Sequence, residues 1–145
     1  MSIRPNFAEA ILTGSKTFEL RRRFPSITEG TTVILYASSP RRAIVGTFVA
    51  GVTKAASASE LWAMVGTDLG LSQLAFGTYL EGARDPVAIE VTQPVRFTRE
   101  IELTEMRETL QLEPAQSFRY LSRDALEAIS KLGGVVRKQG NLVLA

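Results

Sequence analysis

The alternation of apolar and polar positions along the chain predicts short strands separated by helices. Period-two alternation and continuous apolar runs predict strands over residues 17–22, 33–37, 43–52 and 87–97. Apolar positions at helical spacing, with capping and stop residues around them, predict helices over residues 6–13, 57–65, 72–80, 103–110 and 124–132. Two further apolar stretches, 135–136 and 142–144, predict a small terminal hairpin.

This order of elements predicts a single α+β domain spanning residues 1–145. Helices inserted irregularly between short strands disfavour a doubly wound parallel sheet and favour a mixed barrel or curled sheet with helices packed at its ends. Hydrophobic residues make up 45% of the chain and charged residues 22%, as in ordinary globular domains. No apolar run approaches the roughly 18 residues of a membrane helix, and no signal peptide opens the chain. We therefore expect a cytoplasmic protein with no membrane partner.

The chain has no cysteine and no histidine, which removes several classes of chemistry. Disulfides, Ser-His-Asp triads, Cys-His dyads and Cys/His zinc sites are all excluded. The acidic residues form no cluster with ligand spacing in the sequence, so we expect neither a metal nor a cofactor. An enzyme built on this chain must use Lys, Glu, Asp, Ser, Thr or Tyr.

The basic residues are mostly arginine, 13 Arg against 4 Lys, although the formal net charge is only +2. The forked guanidinium group suits phosphates and base edges and stacks on rings, which favours a nucleic-acid partner. A genome rich in GC codons would produce the same excess of arginine. Composition alone does not separate these two explanations.

Residues 14–21 carry the strongest candidate site. Gly14 ends the first predicted helix, and Glu19 and Arg21 then stand two residues apart on what we expect to be the outer face of a strand. Lys16, at the turn, reaches over the same surface, so two cations and one carboxylate converge where a phosphate and a base amine can bind. The alternative is a solvated strand face on which Glu19 and Arg21 form a weak surface pair.

Two other polar segments provide further candidate ligand-binding residues. The first is the end of the second predicted strand and the loop after it, because such loops often contact ligands: Tyr36, Ser38, Ser39, Arg41 and Arg42. The second is a later segment that offers Tyr120 as a stacking platform for a base: Gln116, Ser117, Arg119 and Tyr120.

Several other prominent side chains have a structural interpretation. We expect the core to include four aromatic residues, Trp62, Phe76, Tyr79 and Phe118. We expect solvent to surround Arg22 and Arg23, which extend the basic run as electrostatic support.

The stretch from Gly14 to Arg21 matches the signature Gly-x-Lys-x-x-Glu-x-Arg and resembles the ASCH domain family, relatives of the PUA fold. Neighbouring segments resemble the same family: Ser-Ile-Arg-Pro at 2–5, Tyr-Ala-Ser-Ser-Pro at 36–40 and Ile-Val-Gly-Thr-Phe at 44–48. The resemblance covers residues 2–97 and extends to 114–121. It implies a PUA-like β-barrel with a cleft, lined by Lys16, Glu19 and Arg21, that binds RNA or a modified nucleobase.

The same resemblance implies two enzymes as alternatives to a binding module, both metal-independent hydrolases. Some ASCH domains deacetylate acetylcytidine, and others have been described as ribonucleases. In the deacetylases a threonine nucleophile stands where this chain has Glu19, beside the lysine that matches Lys16; the nearest threonine here is Thr17.

The expected catalytic residues of such an enzyme are Lys16, as a general base, and Glu19, as a hydrogen-bond acceptor. Binding of RNA or a nucleotide explains the same residues without shifted pKa values. We therefore expect a binding module first, with Thr17 among the ligand contacts.

Overall fold

A computed structural model describes residues 1–24 and 26–135 as one five-stranded sheet with helices on its faces and ends. The strands of the described residues are β1 (Ser2–Ile3), β2 (Phe18–Arg21), β3 (Thr32–Ala37), β4 (Ala43–Ala55) and β5 (Val87–Glu102). The α-helices in the same ranges are α1 (Pro5–Thr13), α2 (Ala58–Val65), α3 (Gln73–Leu80), α4 (Leu103–Thr109) and α5 (Arg123–Leu132). A 3₁₀ turn, Gly66–Asp68, follows α2.

The strands pair in the order β1-β3-β4-β5-β2. The β1–β3 pair is parallel and the other pairs are antiparallel. This architecture confirms a mixed α+β fold. Because β1 and β2 lie at the two edges, hydrogen bonding does not close the sheet, and the barrel stays a prediction.

Three apolar clusters hold the helices against the sheet. The first packs α1 on the middle strands, the second packs α4, α5 and the segment between them on β3 and β5, and the third packs α2 and α3 on β2 and β5. Leu20 of β2 belongs to the third cluster. Side chains alternate between the faces of a strand, so Glu19 and Arg21 point to the opposite side, where α1 and β1 lie.

The helix ends show which of the predicted capping signals are used in the structure. Ser57 and Glu60 form the predicted capping box at α2, and Gly14 ends α1 in the left-handed conformation with φ 84°. The first helix, predicted over residues 6–13 with Asn6 as its cap, begins one residue earlier than expected. Pro5, whose missing N–H costs nothing in the first turn, begins α1 and makes Arg4 the cap.

The aromatic core expectations hold in part. Phe76 is buried, and its ring centroid lies 5.0 Å from that of the partly buried Trp62. Tyr79 is exposed instead, although its hydroxyl lies 3.4 Å from the Leu20 carbonyl oxygen of β2. The expected terminal hairpin lies almost wholly outside the described residues, and within them no helix has the length and apolar character needed to cross a bilayer.

Gly46 allows β4 and β5, the two longest strands, to pair closely beneath α1. It pairs with Arg96 of β5 at a register shift of β4. A β-carbon at position 46 would clash with the Val95 carbonyl oxygen and approach Leu12 Cδ2 to 2.8 Å. The strand backbone cannot move aside for a β-carbon as a flexible side chain can. The close pairing of β4 and β5 at this point therefore depends on glycine.

We predict that Gly46→Ala lowers the free energy of unfolding by about 2 kcal/mol or more, through overpacking against strand backbone. The matched control is Gly77→Ala in α3, where a β-carbon meets nothing within 4 Å. That substitution should stabilise the protein by up to about 1 kcal/mol, because alanine loses less backbone entropy in a helix. Urea unfolding of both variants checks the opposite signs, and equal effects would contradict this account of Gly46.

Candidate functional site

Lys16, Glu19 and Arg21 meet inside the protein; we call them the charged cluster. Lys16 Nζ lies 3.4 Å from Glu19 Oε2, and Arg21 Nε lies 3.2 Å from Glu19 Oε1. The residues are only 2%, 5% and 9% exposed, respectively. One carboxylate therefore stands between two cations, shielded from water.

This burial corrects two expectations. Glu19 and Arg21 do not lie on an outer face, and they do not form a weak surface pair. Although β2 is an edge strand, α1 and segments distant in sequence cover its polar face. Among the described residues, the charged cluster lies beneath the surface rather than lining an open cleft; its charges are paired with one another, although the buried Arg21 Nε has no hydrogen-bond acceptor there.

Lys16 is held by neighbours on every side. Its Nζ donates a 2.6 Å hydrogen bond to the Leu69 carbonyl oxygen and lies 5.1 Å above the centre of the Phe7 ring. The backbone N–H groups of Lys16 and Thr17 donate to Ala10 and Asp68 carbonyls. Burial lowers the pKa of the Lys16 amine, and the neighbouring Glu19 carboxylate partly opposes that shift.

Arg21 connects the charged cluster to two segments that are distant in the sequence. Its Nη2 donates to the Ser2 carbonyl oxygen at 2.9 Å, and its Nη1 lies 3.4 Å from Ser117 Oγ. The backbone N–H of Ser2 donates to the Ser117 carbonyl at 2.8 Å, and Ser2 Oγ donates to Ala115. Arg21 thus fixes the relative positions of β1 and the segment around Ser117.

An open groove lies on the other side of Ser2. We call it the Tyr36 groove; it is shallow, with a cavity volume of about 40 Å³. Its lining includes Ser2, Ile34, Tyr36, Met106, Glu113 and Arg119. Ser2 is paired in register with Tyr36, so a single residue separates this groove from Arg21.

Tyr36 is the titratable group at the centre of this groove. The residue is 8% exposed, and burial raises the pKa of its hydroxyl. The charges of Arg42 and Arg107 oppose that shift, whereas Glu113 reinforces it. Tyr36 therefore stays protonated at neutral pH among groups of both signs.

Glu113 is held as an ionised carboxylate at the groove rim. Arg107 donates to it through Nε at 2.7 Å and Nη2 at 3.0 Å, and these bonds lower the pKa of the Glu113 carboxyl. Arg119 Nη1 lies 3.4 Å from the Glu113 carbonyl oxygen. Neither Glu113 nor Arg107 was expected from the sequence, because nothing in their local pattern shows that α4 and the following segment reach Tyr36.

The other predicted binding residues lie in different places. Arg41 forms an ion pair with Glu100 and lines a separate pocket beside Pro5 and Glu9, so the structure does not bring it to the Tyr36 groove. Thr17 is exposed and is not part of the charged cluster. The remaining members of the two polar segments lie at or near the surface: Ser38, Ser39 and Gln116.

A neighbouring aromatic groove shares Ile34, Arg119 and Leu121 with the Tyr36 groove. We define the aromatic groove by the side chains of Phe24, Phe118 and Tyr120. The Phe24 and Phe118 rings are 4.3 Å apart, and Tyr120, 60% exposed, meets Phe118 edge-on at 6.0 Å. Phe118, expected in the core, is only partly buried and lines this groove. Phe24 was missed because its sequence context indicates only a strand break.

The clusters of the described residues offer no obvious metal centre. Across residues 1–24 and 26–135, no three Asp or Glu side chains come close enough together to hold a metal ion.

We predict that Glu19→Gln lowers the free energy of unfolding by about 3–5 kcal/mol at pH 7, because it leaves two buried cations without their carboxylate. The exposed pair of Glu9 with Arg96 provides the control, since Glu9→Gln should change stability by less than about 1 kcal/mol.

The same variant should show a characteristic pH dependence. Without Glu19, the folded-state pKa of Lys16 falls further below its unfolded value of about 10.4. The folded variant then binds fewer protons than its unfolded chain between those two values, so its stability rises with pH there. Urea unfolding at several pH values should show the deficit of Glu19→Gln shrinking towards pH 10, whereas a deficit constant with pH would contradict a charged Lys16.

Comparison with known proteins places this geometry in context. An ASCH domain-containing ribonuclease from Zymomonas mobilis subsp. mobilis is 29% identical over 134 residues, covering 91% of this chain and 89% of that protein. The crystal structure of ASCH from Zymomonas mobilis matches with a TM-score of 0.85 at 27% identity, covering 91% of this chain and 92% of that one.

Two variants of the Zymomonas mobilis protein match equally well. A tyrosine-to-phenylalanine mutant has a TM-score of 0.85 at 26% identity, covering 91% of this chain and 95% of that one. A serine-to-alanine mutant has a TM-score of 0.84 at 26% identity, covering 91% and 93%. The model of the ASCH domain matches residues 1–117 of this chain, including the whole charged cluster. The chain belongs to the ASCH domain family.

Proposed function

We propose that this ASCH domain binds RNA in the Tyr36 groove and cleaves it there. The observation that carries the proposal is a buried, protonated tyrosine in an apolar groove whose lining includes Glu113 and Arg119, with the charges of Arg42 and Arg107 near enough to lower its pKa. The Zymomonas mobilis relative named a ribonuclease supports RNA as the substrate and cleavage as the reaction.

The groove offers a shallow surface against which the edge of one unstacked nucleotide can lie. Its floor is apolar and is formed by the buried side chains of Ile34 and Met106. Arginine is the side chain best suited to hold the phosphate, and Arg119 lines the groove while Arg42 is close enough to act on the Tyr36 pKa.

Cleavage of RNA without histidine needs three functions: an acceptor for the proton of the 2′-hydroxyl, positive charge at the phosphate, and a donor to the departing 5′-oxygen. Glu113 is the ionised carboxylate in the groove lining that serves as acceptor, and its pairing with Arg107 makes it a weak base. Arg42 stabilises the charge that develops on the phosphate. Tyr36 is the donor, since its raised pKa keeps it protonated.

The proposed step balances as an internal transesterification. The 2′-oxygen bonds to phosphorus as its proton passes to Glu113, and the bond to the 5′-oxygen breaks as Tyr36 donates a proton to it. The products are a 2′,3′-cyclic phosphate and a 5′-hydroxyl. Proton exchange with water restores Tyr36 and Glu113.

The charged cluster has a positioning role in this proposal. Lys16 and Glu19, the expected catalytic residues, are too deeply buried to touch a polynucleotide and act here only as supports. Arg21 holds Ser2 and Ser117 beside the groove. A tyrosine and a serine are also the residues replaced in the solved variants of the relative.

The structure offers less support for an acetylcytidine deacetylase. Glu19 occupies the position of the threonine nucleophile and is held between two cations. Thr17, the nearest threonine, is exposed and is not part of the charged cluster. A binding module without turnover remains the principal alternative, and formation of product separates the two.

We predict that Tyr36→Phe slows cleavage of single-stranded RNA by about 10²–10⁴-fold, because the proton donor to the leaving oxygen is lost. RNA affinity should stay within about twofold, because the ring still fills the groove. The control is Tyr79→Phe, which removes a hydroxyl 3.4 Å from the Leu20 carbonyl, outside the groove.

Gel analysis of labelled RNA, with end-group identification of the products, measures this effect. Equal rates for the wild-type protein and Tyr36→Phe would contradict the donor role. Intact RNA at high wild-type concentration, together with salt-sensitive binding, would reduce the function to that of a binding module.

A further inference from the structure

A second charged groove lies where β2 leaves the sheet. We define this arginine groove by Arg22, Arg23 and Arg84; Gly82, Ala83 and Asp85 complete its lining, and it encloses about 380 Å³. The groove has a net positive charge because three arginines and only one carboxylate, that of Asp85, line it. The Tyr36 groove and the aromatic groove share none of these residues.

The arginines of this groove are not neutralised within the part of the chain that the structure describes. Four other exposed arginines each form an ion pair with a glutamate: Arg41, Arg96, Arg99 and Arg107. In the same residue ranges, Arg22, Arg23 and Arg84 form no ion pair, even though Asp85 lines the groove. Cations gathered without a counter-charge repel one another and attract an anion.

The groove is built on ordered elements. Arg22 Nη1 donates a 2.7 Å hydrogen bond to the Tyr79 carbonyl oxygen near the end of α3. Gly82, with φ 72°, and the bond from Ala83 N–H to the Leu80 carbonyl shape the turn that carries Arg84. The position of the Arg84 turn relative to β2 is therefore fixed by the fold.

The three grooves are linked through the chain and through shared residues. Arg23 of the arginine groove is followed in the sequence by Phe24 of the aromatic groove. The aromatic groove shares Ile34, Arg119 and Leu121 with the Tyr36 groove. A strand laid across the three grooves would meet arginines first and aromatic rings next, a path of the kind found in proteins that bind single strands.

We propose that the arginine groove binds phosphates of single-stranded RNA several nucleotides away from the Tyr36 groove. The inference rests on the proposed function and adds a substrate class to it: long unpaired strands are preferred over short ones. A duplex fits the path poorly, since its bases are stacked on each other and unavailable to Phe24, Phe118 and Tyr120.

The test measures the affinity of 2′-O-methyl oligonucleotides, which cannot be cleaved through the 2′-oxygen, of about 12 and about 3 nucleotides. Arg23→Ala/Arg84→Ala should weaken binding of the long strand about tenfold near 0.15 M salt and reduce the salt slope by about 1.4. Binding of the short strand should not change. Fluorescence anisotropy at several salt concentrations gives both quantities.

The control is Arg96→Ala/Arg99→Ala, which removes the same number of charges from outside the path. It should change the long-strand affinity by less than about twofold, because these arginines are already paired with glutamates. Arg84→Ala alone, in an exposed turn, is a milder second variant that should weaken long-strand binding about threefold.

The outcomes separate the two proposals. If the wild-type protein binds and cleaves no RNA, the proposed function itself fails. If it binds long and short strands equally well, or if the arginine-groove and control variants weaken binding equally, the extended path fails alone. Displacement of the long strand by inorganic phosphate at a similar concentration would also overturn the path, since it would indicate an isolated phosphate site.

Discussion

The interaction on which the rest of the structure depends is the pairing of one buried carboxylate with two buried cations. Each charge in the charged cluster would be costly to bury alone, so Lys16, Glu19 and Arg21 must stay together. Keeping them together also fixes the segments they bond to, because Lys16 binds the Leu69 carbonyl and Arg21 binds Ser2 and Ser117. Segments far apart in the sequence are thereby joined at one point.

Under the proposed function, this constraint explains how the ASCH signature matters without touching the RNA. Ser2 lies between Arg21 and the Tyr36 groove, so the cluster sets one wall of the groove. Reacting groups must be held to within a fraction of an ångström, and supporting hydrogen bonds achieve this. In this proposal, the buried charges of the charged cluster have a structural role. The reacting groups are the Tyr36 hydroxyl, the Glu113 carboxylate and the Arg42 guanidinium, which lie in or beside the groove.

Local sequence patterns predicted the helices and strands well, but they did not predict which side chains are buried or what those side chains contact. The spacing of Lys16, Glu19 and Arg21 indicated that they meet, since turn and strand geometry are local properties. Their burial depends on Leu69 and Ser117, which are distant in sequence, and no periodicity reveals such contacts. Glu113 escaped notice for the same reason, and Arg41 looked available because its partner Glu100 lies on another strand.

The most direct test of the account is amide chemical-shift mapping of the protein with a non-cleavable 2′-O-methyl oligonucleotide. We expect the largest chemical-shift changes at Ser2, Tyr36 and Arg119 and smaller changes at Phe118 and Tyr120. The Lys16 side-chain amine should stay buried. Shifts confined to the pocket beside Pro5 and Arg41, or no shifts at saturating oligonucleotide, would contradict it.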